Sequence, residues 1–135
     1  MSELLNKSEQ NIDAADYLIR QKQLYAPSVH CSYYACVQLM KYLLLTRHHF
    51  TQESLDQEIR EQNTGFHPFS RKQLCNRIRS IHPRDAASLN RWLKDLYNFR
   101  VESDYLEKHI GQAAAGKAQH IADSIIETLK EHYQL

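Results

Sequence analysis

Two short segments of the chain carry the side chains best suited to chemistry. Residues 32–36 read Ser-Tyr-Tyr-Ala-Cys, and residues 96–105 read Leu-Tyr-Asn-Phe-Arg-Val-Glu-Ser-Asp-Tyr. The guanidinium of Arg100 can hold a phosphate with a planar fork of donors and stabilise charge that develops on it, but it cannot relay a proton. A phenol, whose ordinary pKa is about 10, is a poor base at neutral pH, so Tyr105 is poorly suited to take a proton. The second segment therefore favours anion binding over hydrolysis.

Arg100 also has a purely structural interpretation. Asp104 follows it by four residues, which is the spacing of an ion pair along one face of a helix. Such a pair contributes about 0.5 kcal/mol or less when it is exposed. The sequence leaves both interpretations open, since an arginine can contact a ligand or serve only its own helix.

The adjacent tyrosines of the first segment must face different directions on a helix. We predict that either Tyr33 or Tyr34 packs in the core. We expect the other to hydrogen-bond with Arg100 or Asp104, because a buried phenol usually finds a polar partner. Three aromatic residues in or shortly before the second segment are expected to pack within the protein rather than to stack on nucleic-acid bases: Trp92, Tyr97 and Phe99.

Catalytic signatures of other kinds are absent from the sequence. It contains no glycine-rich phosphate loop, no GxSxG and no HExxH, and its eight histidines lack the spacing of a zinc site on one element. We therefore expect no metal and no cofactor. The three cysteines are predicted to be free, buried thiols.

Charge is distributed unevenly along the chain. The 135 residues carry a net charge of +1, yet residues 71–100 contain eight basic and two acidic side chains. Such a segment can mark a surface for phosphates. It can equally be a solvated face, or one that docks on the protein's own acidic helices, and the sequence does not choose between these interpretations.

Composition indicates an all-α protein of one domain. Three glycines and three prolines leave few places to turn, and 16 leucines and 11 alanines far outnumber the three valines and four threonines. A length of 135 residues suits a single core. The sequence shows neither a signal peptide nor an apolar run long enough to span a bilayer, so we expect a cytoplasmic protein that does not enter a membrane.

Hydrophobic spacing predicts an up-and-down bundle of four long helices, with one or two short helices between the second and the third. The predicted helices cover residues 1–24, 28–46, 52–62, 70–81, 85–105 and 110–132. Pro27 is expected to mark the end of the first helix, and Thr51 to cap the third. Ser70 and Gln73 have capping-box spacing for the fourth, and Asp85 is expected to cap the fifth. The inward face of the fourth helix is predicted to hold Leu74, Ile78 and Ile81. The inward face of the fifth is predicted to hold Leu89, Leu93 or Trp92, Leu96 and Phe99.

The two segments, in this order, resemble the HEPN domain (higher-eukaryote-and-prokaryote nucleotide-binding), especially its small stand-alone prokaryotic members. Those proteins carry an "AYYA" helix, here with Ser32 at the first position. A later helix ends in an arginine that leads into an Asp-Tyr pair, which matches Arg100, Asp104 and Tyr105. The resemblance covers nearly the whole chain.

The resemblance implies an all-α bundle that is usually a homodimer. It also implies binding of nucleotides or RNA, and in many members metal-independent ribonuclease activity. Such ribonucleases are often toxins paired with a small nucleotidyltransferase protein as antitoxin. In active members the arginine is followed after four to six residues by a histidine. Here Tyr105 stands where that histidine is expected, and His109 comes too late.

The missing histidine leaves several candidates for the base. His109 or His67 could be brought in by folding or by a second subunit, and a carboxylate with raised proton affinity, Asp104 or Glu102, could also serve. Arg77 and His82 have the family spacing, but they precede the expected helix, so we treat that match as chance.

On this resemblance, we predict a nucleotide- or RNA-binding protein of toxin-antitoxin type with a polar groove. The alternative is a non-catalytic interaction protein that docks a partner such as a nucleotidyltransferase. The predicted catalytic residues are Arg100, Asp104 and Tyr105, and the predicted substrate-binding residues are Tyr33, Tyr34, Asn98 and Glu102.

Overall fold

The computed structural model describes residues 2–135, which form six α-helices and no strand. A π-helical turn (Leu18–Lys22) extends the first helix. The prediction of an all-α fold is confirmed, and two shorter helices lie where one or two were predicted. The helices are α1 (Glu3–Tyr17), α2 (Tyr25–Thr46), α3 (Gln52–Glu61), α4 (Phe66–Arg79), α5 (Pro83–Tyr105) and α6 (Gln112–Tyr133).

The predicted cap of α3 is confirmed. The hydroxyl of Thr51 accepts a hydrogen bond from the backbone N–H of Ser54, and the Ser54 hydroxyl accepts one in return from the backbone N–H of Thr51. This reciprocal capping box satisfies two donors that the first turn of a helix leaves unpaired. The helix ends as predicted before Asn63, which has a φ of 50°, a left-handed conformation that asparagine tolerates well.

Two predicted boundaries were wrong because proline is tolerated in the first turn of a helix, where the backbone N–H needs no partner. α2 begins at Tyr25 and contains Pro27, so this proline starts a helix and does not end one. α4 likewise begins at Phe66, with Pro68 in its first turn. Ser70 is therefore buried inside α4 and donates to the carbonyl of His67 at 3.1 Å.

The cap of α5 also differs from the prediction. His82 is the N-cap: its Nδ1 accepts a hydrogen bond from the backbone N–H of Asp85 at 3.1 Å. A ring nitrogen takes the role expected of a carboxylate because Pro83 occupies the first helical position and brings His82 to the cap. Ile81, predicted to face inwards, lies beyond the end of α4 and is exposed.

α2 is the central helix, and it packs against α1, α4, α5 and α6. Leu39, Met40, Leu43 and Leu44 are fully buried along it, and burial of each such side chain contributes about 1.5–3 kcal/mol to stability. Two buried serines hold α1 against α2. Their hydroxyls donate to backbone carbonyls across the crossing: Ser8 to Ala35 at 2.7 Å, and Ser28 to Ala15 at 2.9 Å.

The cysteines are free, as predicted. Cys36 and Cys75 are buried, but the prediction of burial was wrong for Cys31, which is half-buried. Within residues 2–135, no helix is both long enough and apolar enough to cross a membrane.

The two candidate segments lie in the first half of α2 and the last turns of α5. They are brought together because α2 packs against α5, and α2 also packs against α4.

Candidate functional site

Arg100 lies near the carboxyl end of α5, where it meets the paired tyrosines of α2. Its Nη2 donates to the hydroxyl of Tyr34 at 3.0 Å and to the hydroxyl of Tyr105 at 2.9 Å. The guanidinium carbon lies 5.4 Å from the ring centre of Tyr33 and 4.8 Å from that of Tyr105, within the range of a cation–π interaction. Tyr33 is buried and Tyr34 is the polar partner, which confirms the division of roles predicted for the pair.

Asp104 holds the arginine from the other side. Its Oδ2 lies 3.2 Å from Nε of Arg100, and the two side chains are 18% and 16% exposed. The ion pair predicted from the spacing is therefore present. It does not exclude a ligand, because the same arginine also lines an open cavity.

His30 completes the cluster, and the sequence analysis missed it. Its Nδ1 lies 2.9 Å from Oδ2 of Asp104, and its ring centre lies 4.6 Å from that of Tyr34. The signal was available: His30 precedes Tyr34 by four residues and so shares its face of α2. Asp104 thus bridges a histidine and an arginine from two helices.

Donors remain free on this cluster. Nη1 of Arg100 makes no hydrogen bond with the described residues, whereas its Nε is buried against Asp104. Nε2 of His30 also lacks a partner among residues 2–135, and the His30 side chain is 49% exposed. The cluster can therefore offer guanidinium donors and one imidazole nitrogen to a ligand.

Arg100 opens into a cavity of about 460 Å³ between α2, α3 and the start of α4. This volume is within the range of small-molecule sites, which usually combine an apolar lining with a few polar groups. The lining residues are Tyr33, Tyr34, Val37, Lys41, Gln52, Leu55, Asp56, Ile59, Phe66, His67 and Arg100. The arginine that sequence analysis selected is thus at a concave surface and not on an isolated wall.

His67 is brought to the same cavity, as one of the histidine hypotheses required. Its Nδ1 lies 3.2 Å from the hydroxyl of Tyr33, and its ring stacks on Tyr97 with centres 4.6 Å apart. Burial, together with the charges of Arg71 and Arg100, lowers the pKa of His67 to about 4, so the ring is neutral at pH 7. Its Nε2 is buried and makes no hydrogen bond.

Other predicted residues lie away from the cluster. Glu102 pairs with Lys108 at 3.2 Å. Asn98 and Glu102 line a different cavity with Lys117, and Asn98 also lines a cavity beside His67. His109 lies beyond the end of α5 and is exposed. None of these three residues lines the Arg100 cavity.

The basic segment stays open. Of its eight cations, Arg100 alone lies within 4.0 Å of a carboxylate in the described part of the chain. The segment therefore does not form ion pairs with the protein's own acidic helices, and a solvated face and a surface for phosphates remain as its two interpretations. Tyr97 packs on the ring of His67, as expected, but remains 37% exposed. Trp92 and Phe99 are half-buried against the core, as expected.

The part of the chain that the structure describes holds no group of three or more His, Cys, Asp or Glu side chains close enough to bind a metal ion.

Comparison with known proteins identifies the family. The protein-family model described as HEPN domain matches residues 1–132 of the chain. No curated protein and no solved structure matches the chain.

Proposed function

We propose a function from the premise that the chain belongs to the HEPN domain family, as the match over residues 1–132 shows. Our proposal is that the cavity beside Arg100 binds a phosphate group of a nucleotide or of RNA. The observation that carries it is the arrangement of Arg100, which two tyrosine hydroxyls and one carboxylate hold in place while its Nη1 remains without a partner. A guanidinium fixed in this way has already lost the side-chain entropy that binding would otherwise cost.

The rest of the cavity suits a nucleoside. Lys41 adds a second positive charge, and Asp56 is the cavity's one carboxylate. Val37, Leu55 and Ile59 provide an apolar wall, against which a base or ribose can pack. A phosphate at the arginine with its nucleoside over that wall uses both halves of the lining.

A second activity, metal-independent RNA cleavage, is favoured by His30. Imidazole takes and gives protons near neutral pH, so His30 supplies the group whose usual place in the family pattern is occupied here by Tyr105. Asp104 orients the ring through Nδ1 and leaves Nε2 free. This is the arrangement by which a carboxylate positions a histidine as a general base.

The cleavage step then follows from these groups. His30 Nε2 takes the proton of an RNA 2′-hydroxyl, and the 2′-oxygen forms a bond to the neighbouring phosphorus. The bond from phosphorus to the 5′-oxygen breaks, and that oxygen leaves with a proton from water. Arg100 stabilises the charge that develops on the phosphoryl oxygens. The products are a 2′,3′-cyclic phosphate and a 5′-hydroxyl end, and His30 returns its proton to water.

One experiment tests both activities with three variants. Calorimetry measures the binding of uridine 3′-monophosphate, and gels measure the cleavage of a labelled mixed-sequence RNA in the presence of a chelator. Arg100→Gln should weaken nucleotide binding about tenfold or more, because hydrogen bonds to a charged group contribute about 1.5–3 kcal/mol. Arg84→Gln is the matched control, since it removes one exposed cation from the same helix. His30→Gln should keep nucleotide binding and lose cleavage.

The outcomes separate the two activities. Equal nucleotide binding by the Arg100→Gln and Arg84→Gln variants would refute the binding proposal. The cleavage proposal is wrong if the unmodified protein binds the nucleotide but does not cut RNA. It is also wrong if the His30→Gln variant cuts RNA as well as the unmodified protein. In both cases the binding proposal stands.

We further propose a cytoplasmic homodimer with a toxin-antitoxin role and a nucleotidyltransferase-type partner. Tyr105 and Leu106 support an interface at this end of α5, because both are large, exposed hydrophobic residues that are adjacent in the chain, and Tyr105 bonds Arg100. Light scattering of the purified protein measures the oligomeric state, and a monomer at micromolar concentration would contradict the homodimer.

A further inference from the structure

We infer that the natural ligand is a single strand of nucleic acid that occupies three adjoining cavities, and not an isolated nucleotide in one. This inference rests on the proposed function and adds the class of ligand. It is drawn from the surface beyond the Arg100 cavity, where two further cavities continue around the start of α4.

The three cavities share lining residues in sequence. The Lys94 cavity, of about 300 Å³, shares His67 with the Arg100 cavity. The Arg79 cavity, of about 410 Å³, shares Pro68 and Arg71 with the Lys94 cavity. The three cavities are therefore neighbours on one surface, which we call the basic track.

Positive charge follows the basic track from end to end. Each of the two further cavities contains at least two cations and no carboxylate: Arg71 and Lys94 line one, and Arg71, Lys72 and Arg79 line the other. Neither these four cations nor Lys41 has a carboxylate within 4.0 Å in the described chain. Unpaired cations spaced along a path match a polymer with one negative charge per unit better than they match a single phosphate.

Two buried nitrogen atoms without partners lie at the junctions. Nε2 of His67 and Nε of Arg71 are both buried and make no hydrogen bond, and such groups are rare in folded proteins because each costs about 1–3 kcal/mol. His67 lies between the first and second cavities, and Arg71 between the second and third. A ligand that passes through both junctions can form a hydrogen bond with each nitrogen.

Tyr97 provides a surface for a base. One face of its ring stacks on His67 with centres 4.6 Å apart, while the side chain remains 37% exposed and lines the Lys94 cavity. Stacking of a base on an aromatic side chain contributes about 1–3 kcal/mol and tolerates every base. Asn98 lies in the same cavity, where its amide can contact the edge of a stacked base.

The alternation of aromatic and basic groups favours a single strand over a duplex. A duplex hides its base faces and presents only backbone and groove edges, whereas an unpaired strand can place bases in concave cavities. An acidic peptide would use the cations and leave the exposed face of Tyr97 unused.

The test compares two matched double variants by anisotropy of labelled oligouridylates of two and eight nucleotides. Lys72→Gln with Arg79→Gln removes two exposed cations from the basic track. Arg84→Gln with Arg91→Gln removes two exposed cations that line none of its cavities. All four residues are exposed, so folding should be unaffected, and circular dichroism checks this.

We expect the unmodified protein to bind the octamer much more tightly than the dimer. The track variant should lose roughly tenfold in octamer affinity, and the salt slope should fall by about 1.4, because each single-strand phosphate contact contributes about 0.7 to the slope. The control variant should change octamer affinity less than threefold. Uridine 3′-monophosphate should bind both variants equally, since the Arg100 cavity is intact.

Three results would overturn the inference: equal losses in the two double variants, no gain in affinity from dimer to octamer, or tighter binding of an eight-pair duplex than of the single strand. These results leave the proposed function in place as long as the monophosphate still binds in an Arg100-dependent manner. Failure of that binding would instead refute the proposed function.

Discussion

The two ends of α5 contain nearly the same residue types in different states. The Arg100 site comprises His30, Tyr34, Arg100, Asp104 and Tyr105. The histidine corner, at the other end, comprises His48, Arg77, Asp85, His132 and Tyr133. Each combines an arginine over a tyrosine ring with an aspartate bonded to a histidine. Fifteen residues of helix separate Asp85 from Arg100, which is about 22 Å at about 1.5 Å per residue.

In the histidine corner the polar groups have partners within the fold. Nη1 of Arg77 donates to the carbonyl of Arg47 at 3.0 Å, at the end of α2. Asp85 bonds His132 at 2.7 Å, and the hydroxyl of Tyr133 lies 2.7 Å from Nε2 of His48. Tyr133 is 4% exposed. This corner therefore joins the ends of α2, α4 and α6 to the start of α5.

At the Arg100 site the corresponding groups are left incomplete. Tyr105 is 67% exposed, and both Nη1 of Arg100 and Nε2 of His30 lack partners within residues 2–135. The comparison teaches that residue types alone do not distinguish a structural cluster from a binding site. The free donors beside a cavity make that distinction.

The largest expected difference between the two regions is in stability. Tyr133→Ala should lower the free energy of unfolding by about 3 kcal/mol, because it removes a buried aromatic ring. Tyr105→Ala, the matched change in the Arg100 site, should alter it by no more than about 0.5 kcal/mol. Urea denaturation of both variants measures the difference, and equal losses would show that Tyr105 also has a structural role.

The next largest effect is expected on acidification, which should lower the free energy of unfolding. His67, beside the Arg100 site, should contribute more to this loss than His48 does. Burial is the main cause that lowers the pKa of both, to about 4 for His67 from an ordinary 6.5. The unfolded chain then binds more protons than the native protein below about pH 6.5, so stability must fall as the pH drops. We expect His67 to account for a loss of about 1 kcal/mol between pH 7 and 5, a figure reduced for its partial exposure.

Urea denaturation across this pH range tests the assignment. His67→Gln should flatten the dependence more than His48→Gln does, because the pKa of His67 is displaced further. A dependence that neither substitution changes would assign the effect to other groups.

The smallest expected effects come from single hydroxyl groups. Tyr133→Phe removes the partner of His48 and should cost about 1 kcal/mol of stability, with no change in nucleotide binding. Tyr34→Phe should cost less stability but weaken nucleotide binding about threefold, since a hydrogen bond contributes about 0.5–1.5 kcal/mol and this one holds Arg100. Thermal denaturation and calorimetry measure both quantities, and a nucleotide affinity that responds to Tyr133→Phe would contradict the division between the two regions.

Much of the fold and part of the site were predictable from the sequence. The apolar spacing along α2, the Thr51 cap, and the pairing of Arg100 with Asp104 depend on residues close together in the chain, and all three are present in the structure. Boundaries at Pro27 and Pro68 were missed, because a proline is compatible with both the end of one helix and the first turn of the next.

His30 and Asp104 are 74 residues apart, and no local pattern joins them. The sequence by itself determined that the protein is helical and that Tyr33, Tyr34 and Arg100 belong to candidate segments, because helix periodicity is a local property. Only the tertiary structure decided that His30 meets Asp104, that His67 reaches the cavity, and that Glu102 lies outside it. Those contacts depend on the packing of α2 and α4 against α5, which is a property of the whole core.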